Sequence, residues 1–255
     1  MRYAWLVSVS AHTLPASVKD AGNRVFASGA RMRAGVVFRI SGNLASDQDL
    51  ALLNAAAITT VVDLRNELEI RSGLVEWART HGIRYEHHPI FGAGMQEIAQ
   101  LAVSAPDLAA GRAQQARLYI KMVDVYGPQI ARTIALLADD GPVGFGCAAG
   151  KDRTGVVTAV LHVLVGASVP EAAAAYAAQA PSVEQLRPMA YAHFGIAEGS
   201  DLPPGIEALL GVDENAILAV FAHLGEAYGG VEPWLAASGL PAGALERLRV
   251  KLLET

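Results

Sequence analysis

One ten-residue stretch gathers a thiol, two cations, a carboxylate and a hydroxyl between glycines, and it holds the one cysteine among the 255 residues. It reads Gly146-Cys147-Ala148-Ala149-Gly150-Lys151-Asp152-Arg153-Thr154-Gly155. The apolar residues 143–146 before it predict a strand, and the apolar run 156–161 after it predicts a helix. A loop between a strand and a helix N-terminus points backbone N–H groups and the positive end of the helix dipole at one place. The sequence therefore predicts an anion site that contains a nucleophile.

The side chains of this loop suit phosphate chemistry. A thiol at a helix N-terminus is expected to ionise readily and act as a nucleophile, here Cys147. Arg153 offers a planar fork for two phosphate oxygens, and Thr154 can hydrogen-bond the sulfur. The alternative is a buried, inert cysteine beside an ordinary turn. Two cations next to the thiol favour the anion site, because Lys and Arg are rarely buried without a partner.

The spacing Cys-x5-Arg-Thr, and the fuller run from Cys147 to Gly155, resemble the signature loop of a bacterial branch of tyrosine and dual-specificity phosphatases. The resemblance implies a cysteinyl-phosphate intermediate with no metal and no cofactor. It implies substrates that carry phosphotyrosine, and some members of the family also accept phosphoinositides. Lys151 and Asp152 resemble the residues that mark those members, and Lys151 is expected at the rim of the site. It also assigns phosphate binding to the loop residues Ala148, Ala149, Gly150 and Lys151.

Charged residues end the apolar, β-branched run 58–65, as a buried parallel strand would place them at the ligand edge of a sheet. This segment resembles the Val-Asp-Leu-Arg motif of the family, which makes Asp63 the candidate general acid and Arg65 its orienting partner or a phosphate ligand. The rival acid is Asp152, inside the loop. A structural pair of Asp63 with Arg65 is the alternative. Glu67 and Glu69 are expected on a solvated face.

Two more arginines belong to the resemblance. Arg24 aligns with an arginine of a family motif that braces the site, which makes it a candidate phosphate ligand, although Val25 replaces the aspartate of that motif. Arg39 matches the arginine of a Phe-Arg-Ser segment, or is a charge at a sheet edge. Gly146 stands where the family usually has histidine, and it is expected to make the approach to the loop more flexible.

These departures leave three hypotheses open. The first is a cysteine-dependent phosphomonoesterase of the tyrosine/dual-specificity type. The second is a phosphatase of nucleotides, sugar phosphates or biosynthetic intermediates on the same scaffold, favoured by Gly146, Val25 and the pair Gln179-Ala180, which replaces a family Ser-Asn pair. The third is a phosphate-binding module with little catalysis, which the intact Cys147, with Arg153 and Thr154, argues against.

Composition narrows the class of protein. A net charge of −5 argues against nucleic-acid partners and against broad electrostatic binding to anionic membranes. The lone cysteine excludes an internal disulfide framework and suits a reducing compartment. No apolar run has the length of a membrane span, and the N-terminal run is a poor signal peptide. We expect a cytoplasmic protein without stable membrane insertion, with leaderless secretion not excluded.

The pattern of elements predicts an α/β fold whose mostly parallel central sheet of about four or five strands is flanked by helices. One domain over 1–255 is expected, with a helical C-terminal part. The resemblance places a helical lid at 91–125, although the segment 91–112 is loop-like at first. Two helices are expected on either side of Gly127-Pro128, with Tyr119 facing solvent or the lid.

Overall fold

The computed structural model describes residues 18–42, 47–70, 72–91 and 96–254. The alternation of Tyr3, Trp5, Val7 and Val9 predicts a strand, and Ser46, or Asp47, is a predicted helix cap. Residues 3–9 and Ser46 lie outside the described ranges, and so do residues 92–95 of the expected lid.

Five strands of the described residues form one mixed sheet in the order β1-β4-β7-β5-β6. β1 runs antiparallel to β4, and the other neighbours are parallel. This confirms the predicted α/β class with a mostly parallel sheet. A separate two-stranded ribbon pairs β2 with β3. The strands are β1 Val18–Asp20, β2 Arg24–Val25, β3 Arg31–Met32, β4 Val37–Ser41, β5 Thr60–Asp63, β6 Arg84–His87 and β7 Val143–Cys147.

Eleven helices are found in the same ranges. They are α1 Asp47–Ala55, α2 Ser72–Thr80, α3 Gln96–Val103, α4 Leu108–Leu137, α5 Asp152–Leu164, α6 Val169–Gln179, α7 Val183–Phe194, α8 Pro204–Leu210, α9 Glu214–Tyr228, α10 Val231–Ala237 and α11 Ala244–Leu252. None of the helices in these ranges is long and apolar enough to cross a lipid bilayer.

Alternation along the strands builds an apolar layer on each face of the sheet. Val61 packs with Leu53 and Trp77 of the two small helices α1 and α2, whereas Val62 packs with the larger set that includes α4 and α5. Successive side chains of a strand point to opposite faces, so β5 needs apolar residues at both positions. The central strand β7 is buried along its whole length.

Three local predictions concern residues 91–137, and one of them, the exposure of Tyr119, needs correction. The segment 91–112 is helical from Gln96 to Val103 and again from Leu108. The two helices expected on either side of Gly127-Pro128 are present within α4, divided by a kink with non-helical backbone at Tyr126, where φ is −111° and ψ is 20°. A proline lacks the N–H of an internal helical bond, which explains a kink one turn or less before Pro128. Tyr119 is fully buried and does not face solvent. The lid itself stays a prediction.

Candidate active site

The cysteine lies at the carboxyl end of the central strand. Ser41 of β4 is the register partner of Cys147 on one side, and Asp63 of β5 pairs with Gly146 on the other. The ends of parallel strands meet at one edge, which is where open α/β sheets bind ligands. The next residues form a tight loop into α5, which begins at Asp152. The predicted order of strand, loop and helix N-terminus is therefore confirmed.

The carbonyl groups of the loop are held from outside. The hydroxyl of Ser41 donates to the carbonyl oxygen of Ala148 at 2.8 Å, and the guanidinium of Arg39 donates to that of Gly150 at 2.8 Å. Gly150 has a φ of +65°, which favours glycine. No described residue accepts a hydrogen bond from the backbone N–H groups of residues 148–151. These donors, beside a helix N-terminus, form a cradle for an anion.

Thr154 contacts the cysteine twice. Its hydroxyl accepts a hydrogen bond from the backbone N–H of Cys147 at 2.9 Å and donates one to Sγ at 3.3 Å. Both residues are buried, with 2% of Cys147 exposed. The sequence predicted this hydrogen bond from Thr154 to the sulfur.

Arg153 is held by a carboxylate that the sequence placed on a solvated face. Glu69 accepts two hydrogen bonds of 2.6 Å from the guanidinium, so the prediction for Glu69 is wrong, while Glu67 is exposed as expected. Burial alone would lower the pKa of Arg153, but Glu69 and then the Cys147 thiolate outweigh it and raise that pKa. The aromatic ring of Phe91 lies 5.9 Å from the guanidinium carbon.

Asp63 and Arg65 form an ion pair, and neither side chain has any exposed surface. The guanidinium donates to both carboxylate oxygens, and the Tyr85 hydroxyl donates to Oδ2 at 2.8 Å. Arg65 also donates to the carbonyl of Gly42 at 2.7 Å. The position of Asp63 at the strand end agrees with the prediction. Its carboxylate nevertheless faces Arg65 and Tyr85, an arrangement that suits a structural pair.

Asp152 has a more open environment at the start of α5. Its side chain is 37% exposed, and Oδ1 accepts a hydrogen bond from the Tyr119 hydroxyl and lies 3.1 Å from Nζ of Lys151. Lys151 itself is 1% exposed and donates to the carbonyl of Leu209 in α8. The ammonium group is therefore buried between the loop and α8, which corrects the expectation that it lies at the rim.

Arg39 is a buried brace of the loop and not a charge at a sheet edge. Besides the carbonyl of Gly150, its guanidinium donates to Oε1 of Gln179 at 2.9 Å, and burial lowers the pKa of Arg39 to about 10. Arg24 lies in β2, where burial lowers its pKa and Asp20 partly restores it. No hydrogen bond joins Arg24 to the loop within the described residues, and its role in phosphate binding stays a prediction.

Position 146 requires glycine because β7 and β4 approach each other closely there. A Cβ atom at this position would lie 1.9 Å from the carbonyl oxygen of Ile40 in β4. The carbonyl of Gly146 accepts a hydrogen bond from the backbone N–H of Leu64 at 2.7 Å. The backbone is thus paired inside the sheet, and no side chain fits where the family usually has histidine.

The sequence analysis did not identify four residues that support the site: Ser41, Glu69, Tyr119 and Gln179. Glu69 had one usable signal, because Asn66 with a glutamate three positions later is a capping box that fixes its backbone. The other three lack a local pattern, since their partners lie on distant segments.

Comparisons with known proteins indicate the family of this chain. The model of the tyrosine phosphatase family matches residues 17–254. A curated tyrosine-protein phosphatase of Nostoc commune is 28% identical over 214 residues, which cover 81% of this chain and 70% of that protein. The triple specificity protein phosphatase PtpB of Mycobacterium tuberculosis is 30% identical over 131 residues, 48% of each chain.

Two solved structures of TpbA from P. aeruginosa are also similar. One is 20% identical over 73% of this chain and 86% of its own length, and the other, a cysteine-to-serine variant with phosphotyrosine, is 19% identical over 80% and 94%. Both TM-scores are 0.30, too low to carry an argument. The family model, in contrast, spans nearly the whole sequence. The chain therefore belongs to the tyrosine phosphatase family and is a phosphatase.

Proposed function

We propose that this phosphatase hydrolyses aryl phosphomonoesters, phosphotyrosine in peptides above all, through a cysteinyl-phosphate intermediate. The observation that carries the proposal is the cradle itself. The sulfur of Cys147 lies at the start of a loop in which no described residue accepts from the N–H groups of residues 148–151, and Arg153 comes from the helix that follows. Fixed donors of this kind hold the nonbridging oxygens of a phosphoryl group while charge is redistributed.

In the first step the thiolate of Cys147 attacks phosphorus, and the bond from phosphorus to the ester oxygen breaks. The electron pair of that bond passes to the leaving oxygen, which takes a proton from a general acid. In the second step water attacks phosphorus and gives a proton to the conjugate base of the general acid, while the sulfur leaves with its electron pair. The hydroxyl of Thr154, which donates to Sγ, stabilises the departing thiolate.

We infer that Asp152, and not Asp63, is the general acid. The carboxylate of Asp63 is fully buried and both its oxygens accept from Arg65. Asp152 has 37% of its side chain exposed and starts the helix that faces the loop. A general acid needs to reach the leaving oxygen, and the open carboxylate meets that need.

The preference for aryl substrates rests on Phe91. Its ring lies 5.9 Å from the guanidinium carbon of Arg153, so an aromatic wall borders the phosphate-binding arginine. An aromatic leaving group can pack against such a ring, and each aromatic pair contributes about 0.5–1.5 kcal/mol beyond burial.

The test is steady-state turnover of a phosphotyrosine peptide by the wild type and by Cys147→Ser, with inorganic phosphate release as the readout. The wild type is expected to release phosphate, and the variant to release none while it retains affinity for phosphate. Quenching during turnover should trap acid-stable, thiol-linked phosphate on the wild type alone. A panel with phosphoinositides and nucleotides decides the substrate class, and faster turnover of a nucleotide would overturn the aryl preference.

A further inference from the structure

Two buried tyrosines meet at the proposed acid. Tyr119 comes from α4 and Tyr176 from α6, and neither has any exposed surface. The hydroxyl of Tyr119 contacts Oδ1 of Asp152, and the two tyrosine hydroxyls lie 2.8 Å apart. Their rings pack edge to face with centroids 6.2 Å apart.

The direction of this hydrogen-bond chain follows from the groups present. An ionised carboxylate only accepts, so Tyr119 donates its single hydroxyl hydrogen to Asp152. Tyr176 must then donate to the oxygen of Tyr119. Burial, and then the charge of Asp152, raises the pKa of both tyrosines, which keeps both hydroxyls neutral and able to donate.

The chain is fixed in place by close packing. A Cβ atom on Gly155 in α5 would lie 2.5 Å from the ring of Tyr176, so that ring rests directly on the helix that carries Asp152. Side chains whose positions are locked by packing hold a catalytic group to a narrow range of geometry.

The two oxygens of Asp152 are not equivalent. Oδ1 accepts from Tyr119 and lies 3.1 Å from the ammonium group of Lys151, whereas no described residue donates to Oδ2. A proton on the carboxyl group belongs on the oxygen without donors, because a protonated Oδ1 would meet two groups that offer hydrogens. Oδ2 is thus the oxygen that can deliver a proton to substrate.

We propose that Tyr119, supported by Tyr176, is a positioning residue for the phosphatase reaction: the Tyr119 hydroxyl binds Oδ1 of Asp152 and thereby directs Oδ2 at the leaving oxygen. This inference rests on the proposed function. In the first step Oδ2 gives its proton to the leaving oxygen as the sulfur–phosphorus bond forms. In the second, Oδ2 takes a proton from the attacking water as that bond breaks.

The experiment compares Tyr119→Phe with wild type on phenyl phosphate, a poor leaving group, and 4-nitrophenyl phosphate, a good one. Protonation matters most for the poor leaving group, so kcat/KM for phenyl phosphate should fall by about tenfold to a hundredfold. Turnover of 4-nitrophenyl phosphate should fall by about threefold or less. The inhibition constant of inorganic phosphate should not change, because the loop and Arg153 hold the phosphate.

Matched variants separate positioning from folding. Tyr228→Phe removes another hydroxyl that donates to an aspartate, Asp124, at the surface, and should leave both substrates unaffected. The double variant Tyr119→Phe with Tyr176→Phe leaves no buried hydroxyl without a partner and should show the same selective loss if the single variant folds poorly. Adding Tyr119→Phe to Asp152→Asn should cause no further loss on phenyl phosphate, since both act through one proton.

Equal losses on the two substrates, a weaker affinity for phosphate, or rates that match those of Tyr228→Phe would overturn the inference. These outcomes differ from failure of the proposed function, in which the wild type itself would hydrolyse neither substrate.

Discussion

Glu69 and Arg153 face each other through two hydrogen bonds of 2.6 Å, although 84 positions separate them along the chain. A bidentate carboxylate fixes the plane of a guanidinium. The backbone of Glu69 is fixed in turn, because the Asn66 side chain accepts from the backbone N–H groups of Leu68 and Glu69. The short 3-10 helix from Glu67 to Glu69 thereby sets the orientation of the arginine proposed to bind phosphate.

Replacing that carboxylate should weaken both folding and catalysis. In Glu69→Gln the free energy of unfolding should fall by about 2 kcal/mol, less than for a pair without solvent contact, because Glu69 keeps some exposure. The kcat should fall by about tenfold as Arg153 loses its orientation. Urea unfolding and steady-state kinetics measure the two effects, and unchanged kcat would contradict the orienting role.

The same pair predicts a pH dependence. Burial would raise the pKa of Glu69, but the charge of Arg153 and its hydrogen bonds lower that pKa below its ordinary value of 4.5. The ionised glutamate therefore contributes stability above about pH 4.5, and this contribution is lost as pH falls through the lower folded-state pKa. The stability gap between wild type and Glu69→Gln should shrink between pH 7 and about pH 3 in urea titrations. If the stability difference stayed constant over this pH range, the charge of Glu69 would not be the cause of the stabilisation.

The two aspartates should respond differently to the same amide substitution. Asp63→Asn removes one charge of the buried ion pair with Arg65, so the free energy of unfolding should fall by about 3–5 kcal/mol. Asp152→Asn should fold normally but lose about a hundredfold or more in kcat on phenyl phosphate. Thermal melts and kinetics of both proteins decide the assignment, which would be reversed if Asp63→Asn were stable and inactive and Asp152→Asn fully active.

Thr154→Ala should slow the second chemical step. Without the hydroxyl that donates to Sγ, the thiolate is a poorer leaving group and the cysteinyl-phosphate should accumulate. Stopped-flow traces with 4-nitrophenyl phosphate should show a burst of phenolate followed by a steady rate lowered by about tenfold. Thr158→Ala is the matched control, because Thr158 is equally buried one turn along and donates only to the carbonyl of Thr154. A burst in both variants, or in neither, would argue against the role of Thr154.

Gly146→Ala should unfold or strongly destabilise the protein, by about 3 kcal/mol or more, because the new methyl group would overlap the carbonyl oxygen of Ile40 at 1.9 Å. Gly225→Ala is the control, in a helix where a Cβ has no atom within 4 Å. It should stabilise by about 0.5–1 kcal/mol, since alanine favours helix more than glycine does. Differential scanning calorimetry of both variants tests the contrast, and a stable Gly146→Ala would show that the strands can separate.

Local chemistry made the centre of the site predictable. The thiol, Arg153 and Thr154 lie within eight consecutive positions, and the apolar segments on either side predict a strand and a helix. A tight loop between a strand and a helix N-terminus presents backbone N–H groups to an anion. Strand patterns also predicted that Asp63 and Arg65 end a buried strand, because hydrophobic periodicity reports burial.

Tertiary structure alone decided which side chains meet at this centre. Arg39 binds Gln179 across 140 positions, and Tyr119 reaches Asp152 across 33. Such contacts depend on the order of strands in the sheet and on which helices pack over its edge, and neither leaves a periodic signal in the sequence. The same holds for Gly146, since the need for a glycine arises from the distance between two strands and not from the conformation of either one.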